Sequence, residues 1–155
     1  MSQMKNKMKW CLNKAERELK TSSSHRGLTI IKPNMQLARE HIAKSEHYLK
    51  ATDYLKKGSF SDISASTVFY SMYHCLLAIA TKEGYESRNQ ECTFALIATL
   101  IEENKISFNK EMLDKIASFD IEKTAELTSI EIREQYQYGT ELSLQDNIYK
   151  EMFLL

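Results

Sequence analysis

The chain has 155 residues, four glycines and one proline, a length that suits a single domain with a sizeable core. Its 21 basic and 21 acidic side chains leave no formal net charge, which excludes binding of nucleic acid through the overall charge of the chain. The low glycine and proline content argues against an all-β fold with many turns. The composition therefore indicates a helical globular protein.

The charges are distributed unevenly along the chain. Residues 1–32 contain eight basic and two acidic side chains, a net charge of +6, so the remainder carries −6. This asymmetry has two interpretations: a basic arm that folds back onto an acidic body, or an arm that contacts nucleic acid. We favour the first, in which residues 1–32 form a basic helix and an extended linker packed on a helical body of residues 33–155.

Two helices are predicted in the first 60 residues. Apolar side chains recur at helical spacing over residues 3–20 and predict an amphipathic helix. Residues 28–31 form a short extended segment that could be a strand, but no partner strand is in view, so the segment is predicted to be packed coil. Asn34 is placed to cap the second helix, which runs to about Lys57 and is ended by Gly58 at the C′ position.

The central helix is predicted to begin at a cap formed by Ser61 or Ser59 and to be closed by Lys82-Glu83-Gly84, and it lies in the most apolar long segment of the chain. Apolar side chains occupy almost every direction around it, which is typical of a helix in the middle of a bundle. One narrow polar line interrupts them, formed by Thr67, Tyr70, Ser71 and His74. Buried polar groups need hydrogen-bond partners. Those partners can lie within the core, in a second subunit or in a ligand.

Four further helices are predicted, over about 88–103, 109–119 and 121–138, with a short one after residue 143. For the first of them, Ser87 as N-cap and Gln90 at N3 fit a capping box. Arg88 beside the N–H groups at this helix start suggests an anion site, although ordinary capping is the simpler interpretation.

The cysteines and the apolar runs bear on the location of the protein. Cys11, Cys75 and Cys92 are an odd number without a CxxC pair, and they are interpreted as small buried hydrophobic residues in a reducing compartment. The longest unbroken apolar run, residues 75–80, is too short to span a bilayer. No apolar signal core follows the N-terminal lysines. The sequence therefore predicts a cytoplasmic protein without membrane contact.

Motifs that would identify an enzyme are missing from the sequence. It contains no glycine-rich phosphate loop and no HExxH, GxSxG or paired-carboxylate pattern. Neither His41 nor His47 is followed four residues later by a second metal ligand. We therefore predict no metal site and no cofactor.

A family resemblance rests on a turn, a helix signature and a second turn. These are Gly58-Ser59-Phe60-Ser61-Asp62, Phe69-Tyr70-Ser71-Met72-Tyr73-His74 and Lys82-Glu83-Gly84. Together they resemble the HEPN family (higher eukaryotes and prokaryotes nucleotide-binding), over a region from about Gln36 to Tyr138. The resemblance implies an all-α, up-and-down bundle of four to five long helices, here with an extra N-terminal helix and a short C-terminal helix.

The resemblance also implies partners and an activity. HEPN proteins are usually homodimers, partner minimal nucleotidyltransferases in toxin–antitoxin pairs, or act as metal-independent ribonucleases. In the ribonucleases an arginine precedes a histidine by four to six positions on a late helix. Arg133 matches that arginine, but Tyr138 stands where the histidine is expected. A tyrosine with a pKa near 10 is a poor general base at neutral pH, so the ribonuclease motif is not intact.

Three functions follow as hypotheses. The first is a non-catalytic homodimer that binds a nucleotide, RNA or a nucleotidyltransferase partner. Its binding residues would come from Tyr70, Tyr73, His74, Arg88 and Arg133. The second is a metal-independent ribonuclease toxin that uses Arg133, with Tyr138 as the other catalytic candidate. The third is a purely structural interaction protein whose polar core residues satisfy one another.

Overall fold

The all-α prediction is confirmed. A computed structural model of the chain describes residues 2–119, and this part is 71% helical, with five helices and one small sheet. In chain order the elements are α1 (Gln3–Leu19), β1 (Leu28–Ile30), α2 (Met35–Lys57), α3 (Ser61–Lys82), β2 (Tyr85–Ser87), α4 (Gln90–Glu102) and α5 (Lys110–Ser118). The helices predicted over 121–138 and after 143 lie outside the described residues, as do Arg133 and Tyr138.

Side-chain caps fix where several helices begin. Asn34 caps α2 as predicted, because its Oδ1 accepts a hydrogen bond from the Leu37 N–H at 2.9 Å. The predicted capping box at α4 is wrong: Asn89 is the N-cap and accepts from the Cys92 N–H at 3.1 Å. Ser87 is not available as a cap because its backbone belongs to β2.

The described residues fall into two compact units. Unit 1 holds residues 2–42 and 74–113, and unit 2 holds residues 43–73 and 114–119. Helices α2 and α3 each contribute one part to each unit.

Unit 1 contains the small sheet, which corrects a prediction. Residues 28–31 were expected to be coil, but β1 pairs antiparallel with β2, with Leu28 opposite Ser87 and Ile30 opposite Tyr85. The partner strand follows the turn after α3, where Gly84 adopts a φ of 91° that favours glycine. Because the partner lies far along the chain, local pattern alone did not reveal it.

A disulfide joins α1 to α4 in unit 1. Cys11 and Cys92 have Cα atoms 5.8 Å apart and are both fully buried. The interpretation of these two cysteines as unpaired hydrophobic residues is therefore wrong, and Cys75 takes no part in the bond. The predicted cytoplasmic location, which drew on that interpretation, stays a prediction.

Helix α1 is held against α4 by charge as well as by the disulfide. Lys5 pairs with Glu103 at 2.9 Å, and Lys7 pairs with Glu91 at 3.2 Å. Gly27 brings the following loop close to α1, since a Cβ atom there would lie 2.5 Å from the Cys11 carbonyl oxygen. These contacts support the interpretation in which the basic arm folds back, because acidic residues of unit 1 neutralise part of its charge.

Unit 2 contains the turn between α2 and α3. The Ser59 N–H donates to the Lys56 carbonyl and the Phe60 N–H donates to the Leu55 carbonyl, the hydrogen-bond pattern of a Schellman motif. Ser59 occupies the left-handed C′ position, with a φ of 67°. The prediction that Gly58 takes this position is wrong by one residue.

Helix α3 is the one helix among residues 2–119 that is long and apolar enough to cross a membrane, by length and composition alone. Half of its apolar window is buried within the protein. The central helix of a globular core passes the same test, and the polar line on α3 is costly to place in lipid.

Candidate functional site

The polar line of α3 finds partners on α2. In unit 2 the Ser45 hydroxyl donates to the Ser71 carbonyl at 2.6 Å, and the Ser71 hydroxyl donates to the Ser45 carbonyl at 2.8 Å. The hydroxyls of Thr52 and Thr67 also share a hydrogen bond, with their oxygens 2.6 Å apart. The hydrogen-bond partners of these groups therefore lie within the fold, which is the first of the three possibilities named for the polar line (the core, a second subunit or a ligand).

Two tyrosines form a ring pair in unit 2, which we call the tyrosine pair. The rings of Tyr48 and Tyr70 have centroids 5.7 Å apart and planes inclined by 30°. Both residues are half-buried, so each keeps part of its surface exposed to solvent. The Lys44 ammonium nitrogen lies 5.5 Å from the centroid of the Tyr48 ring, within the range of a cation–π contact.

Tyr73 differs from Tyr70 in its degree of exposure. It is only 8% exposed, and its ring stacks on Phe69 with centroids 6.0 Å apart and planes inclined by 12°. Phe69 is itself buried and meets the edge of the Tyr70 ring. Of the two predicted tyrosines, Tyr70 therefore has surface to offer a ligand, and Tyr73 belongs to the core beneath it.

Two histidines face each other in unit 1, which we call the histidine pair. The Nδ1 atoms of His41 and His74 are 3.1 Å apart, and their ring centroids are 5.3 Å apart. One Nδ1 must donate and the other accept, so the two rings cannot both be protonated at Nδ1 while this bond persists. Burial lowers the pKa of His41, opposed by the charge of Glu40.

Arg88 lies in unit 1 and belongs to an ion-pair cluster. Its Nε is 3.1 Å from a Glu86 carboxylate oxygen, which is also 2.9 Å from His25 Nε2. The Nδ1 of His25 accepts from the Gly27 N–H at 3.1 Å, so Nε2 carries the proton and donates to Glu86. His25 is 5% exposed. The cluster ties the loop before β1 to β2, which accounts for Arg88 without a ligand.

The predicted site residues are thus divided among several environments. Tyr70 and Tyr73 share contacts with Phe69, whereas His74 bonds to His41 and Arg88 pairs with Glu86. Arg133 and Tyr138 lie outside the described residues. Within residues 2–119 no group of three or more histidine, cysteine, aspartate or glutamate side chains is placed to hold a metal ion.

Sequence reasoning missed the residues contributed by α2. Lys44 and Tyr48 complete the tyrosine pair, and His41 completes the histidine pair. A signal was present, because α2 carries polar or aromatic residues at 41, 45, 48 and 52, at the helical spacing of the polar line on α3. Comparing the two lines as antiparallel partners would have found these residues.

Comparisons with known proteins found no relative. No family model matches the chain, and no curated protein or solved structure matches it.

Proposed function

We propose that this chain is a non-catalytic, HEPN-like module that binds a nucleotide or single-stranded RNA at the tyrosine pair. One observation supports this most: two half-buried tyrosine rings lie in contact, with a lysine ammonium group over one of them. Exposed aromatic faces stack on bases, and a nearby cation attracts phosphate. The all-α fold and the α3 signature agree with the family resemblance, from which the proposal takes its ligand class.

The proposal includes the protein's biological setting. A cytoplasmic homodimer that pairs with a minimal nucleotidyltransferase, as part of a toxin–antitoxin system, is the arrangement that the resemblance suggests. Light scattering on the purified chain gives the oligomeric state, and co-purification with a nucleotidyltransferase encoded beside it tests the partner.

Calorimetry with AMP, ATP and an eight-nucleotide oligouridine tests the binding site directly. We expect saturable heat with at least one ligand, and Tyr70→Leu should weaken that binding by about tenfold, since stacking contributes about 1–3 kcal/mol per base. Lys44→Gln should lower the salt dependence of RNA binding, because it removes one phosphate contact.

Tyr54→Leu is the matched control for this experiment. Tyr54 lies on the same helix and is 79% exposed, so its loss should leave affinity unchanged if the tyrosine pair is the site. Absence of heat with all three ligands removes the nucleotide proposal. An equal loss in the Tyr54 and Tyr70 variants would place the site elsewhere.

A second candidate, a metal-independent ribonuclease, is favoured by the histidine pair. A half-buried His74 bonded to a second imidazole is a candidate proton donor or acceptor. If this function is correct, RNA is cut in the presence of a chelator, and both His74→Gln and Arg133→Ala abolish cutting. Equal cutting rates in the wild type and both variants would count against it.

A further inference from the structure

The geometry of the histidine pair suits a ligand site as well as a hydrogen bond between the two rings. His41 comes from α2 and His74 from α3, so the two ligand atoms are presented by different helices. A search of the sequence for two metal ligands four residues apart on one helix does not find this site, since the residue four positions after His41 is Ser45. Only the tertiary structure brings the two Nδ1 atoms to 3.1 Å.

This separation matches that of two nitrogen ligands of one metal ion. Metal–nitrogen bonds of about 2.0–2.1 Å place two ligand nitrogens about 2.9 Å apart at a right angle and about 3.3 Å apart at a tetrahedral angle. The observed 3.1 Å lies between these values. Rotation of the two rings, with both Nδ1 atoms deprotonated, would direct their lone pairs onto a shared ion beside the line that joins them.

The surroundings of the pair also favour a cation. Both histidines are half-buried, so each keeps part of its surface exposed to solvent. Glu40 is close enough to act electrostatically on His41, and its negative charge favours a bound cation.

We propose that His41 and His74 form a binding site for a divalent transition-metal ion such as Zn²⁺ or Cu²⁺, held by the two Nδ1 atoms and completed by water. Imidazole suits both ions, and Cu²⁺ binds more tightly to a given set of nitrogen ligands. The imidazole that donates from Nδ1 in the metal-free protein moves that proton to Nε2, so both rings stay neutral when the ion binds. The site is independent of the nucleotide proposal.

Electron paramagnetic resonance of the wild-type protein with one equivalent of Cu²⁺ tests the ligand set without any substitution. We expect superhyperfine coupling to two imidazole nitrogens. Coupling to one nitrogen, or to none, would overturn the proposal. Because this readout needs no variant, it stays decisive even if a histidine substitution disturbs the fold.

Calorimetry with Zn²⁺ then assigns the ligands. His41→Gln and His74→Gln should each weaken Zn²⁺ binding by at least about tenfold, a loss of about 1.4 kcal/mol, because each removes one of two protein ligands. His47→Gln is the matched control, since His47 is exposed on the same helix as His41. Unchanged affinity in the His41 and His74 variants, or an equal loss in the His47 variant, contradicts the proposed site.

Discussion

At the scale of single residues, the turn between α2 and α3 carries an identifiable backbone cost. Ser59 holds a φ of 67°, a left-handed conformation that disfavours residues with a Cβ atom. The glycine that would relieve this cost stands one position earlier, at residue 58. Asn104 is in the same conformation after α4, with a φ of 56°, but asparagine tolerates it better than serine.

Ser59→Gly should therefore stabilise the protein by about 1 kcal/mol, because glycine adopts the left-handed conformation without steric cost. Urea unfolding followed by circular dichroism measures the change. Asn104→Gly is the comparison and should give a smaller gain. A destabilised Ser59 variant would show that the serine side chain contributes more than its backbone conformation costs.

Glu103 is a single residue whose ion pairs make the stability of the protein depend on pH. Its hydrogen bonds with Lys5, first, and with Lys105 lower its pKa below the usual 4.5. A carboxyl group with a lowered pKa in the folded state contributes stability above its unfolded pKa, and that contribution is lost as the pH falls through its folded pKa. Glu103→Gln should thus be less stable than the wild type at pH 7 and equally stable near pH 2. Unfolding at low salt at the two pH values measures this, and a difference that persists in acid would contradict the ion-pair explanation.

At the scale of elements, unit 2 is joined by reciprocal hydrogen bonds between helices. Ser45 and Ser71 are both buried, and each hydroxyl donates to the other residue's carbonyl oxygen. Both carbonyls lie within helices, where a second lone pair remains available after the helical hydrogen bond forms. The small side chains also allow the two helix backbones to approach closely.

Ser45→Ala and Ser71→Ala should each reduce the free energy of unfolding by about 1 kcal/mol, the net value of one such hydrogen bond. The two residues are in contact, so the double variant should depart from the sum of the single changes by about 0.5 kcal/mol or more. Chemical denaturation of the four proteins completes the cycle. Strict additivity would show that the two serines act independently.

At the scale of the whole chain, the buried disulfide between Cys11 and Cys92 closes a long loop of the chain. Cys11 and Cys92 are 81 residues apart in sequence, and cross-linking over such a separation restricts the unfolded chain strongly. Because both sulfur-bearing residues are fully buried, a reductant reaches the bond only when unit 1 opens. Disulfides of this kind are common in oxidising compartments and in intracellular proteins of hyperthermophiles.

Replacing both cysteines, as Cys11→Ala with Cys92→Ala, should lower the free energy of unfolding by about 4.5 kcal/mol on the loop-entropy estimate. Guanidinium unfolding under non-reducing conditions measures it. Cys75→Ser, which leaves the disulfide in place, controls for the loss of a thiol elsewhere. If the double variant and the wild type unfold at the same denaturant concentration, the disulfide does not stabilise the fold in solution.

The sequence by itself determined the helices, because their signals are local. Apolar spacing and the cap at Asn34 depend on residues within one or two turns, and α1, α2, α3 and α5 lie where these signals predict them. The predicted turn at Ser59 and the predicted start of α4 were wrong by a residue or two. In both places neighbouring residues can each form the turn or the cap, so the local sequence does not select one of them.

Only the tertiary structure decided which distant residues meet. The disulfide, the pairing of β1 with β2 and the histidine pair each join segments separated by 33 or more positions. The sequence pattern shows that a cysteine lies among apolar residues or that a histidine lies on the polar line of a helix. It does not record the partner, because the partner is selected by the packing of whole helices. For that reason the helices followed from the sequence, while the sheet, the disulfide, the tyrosine pair and the histidine pair required the tertiary structure.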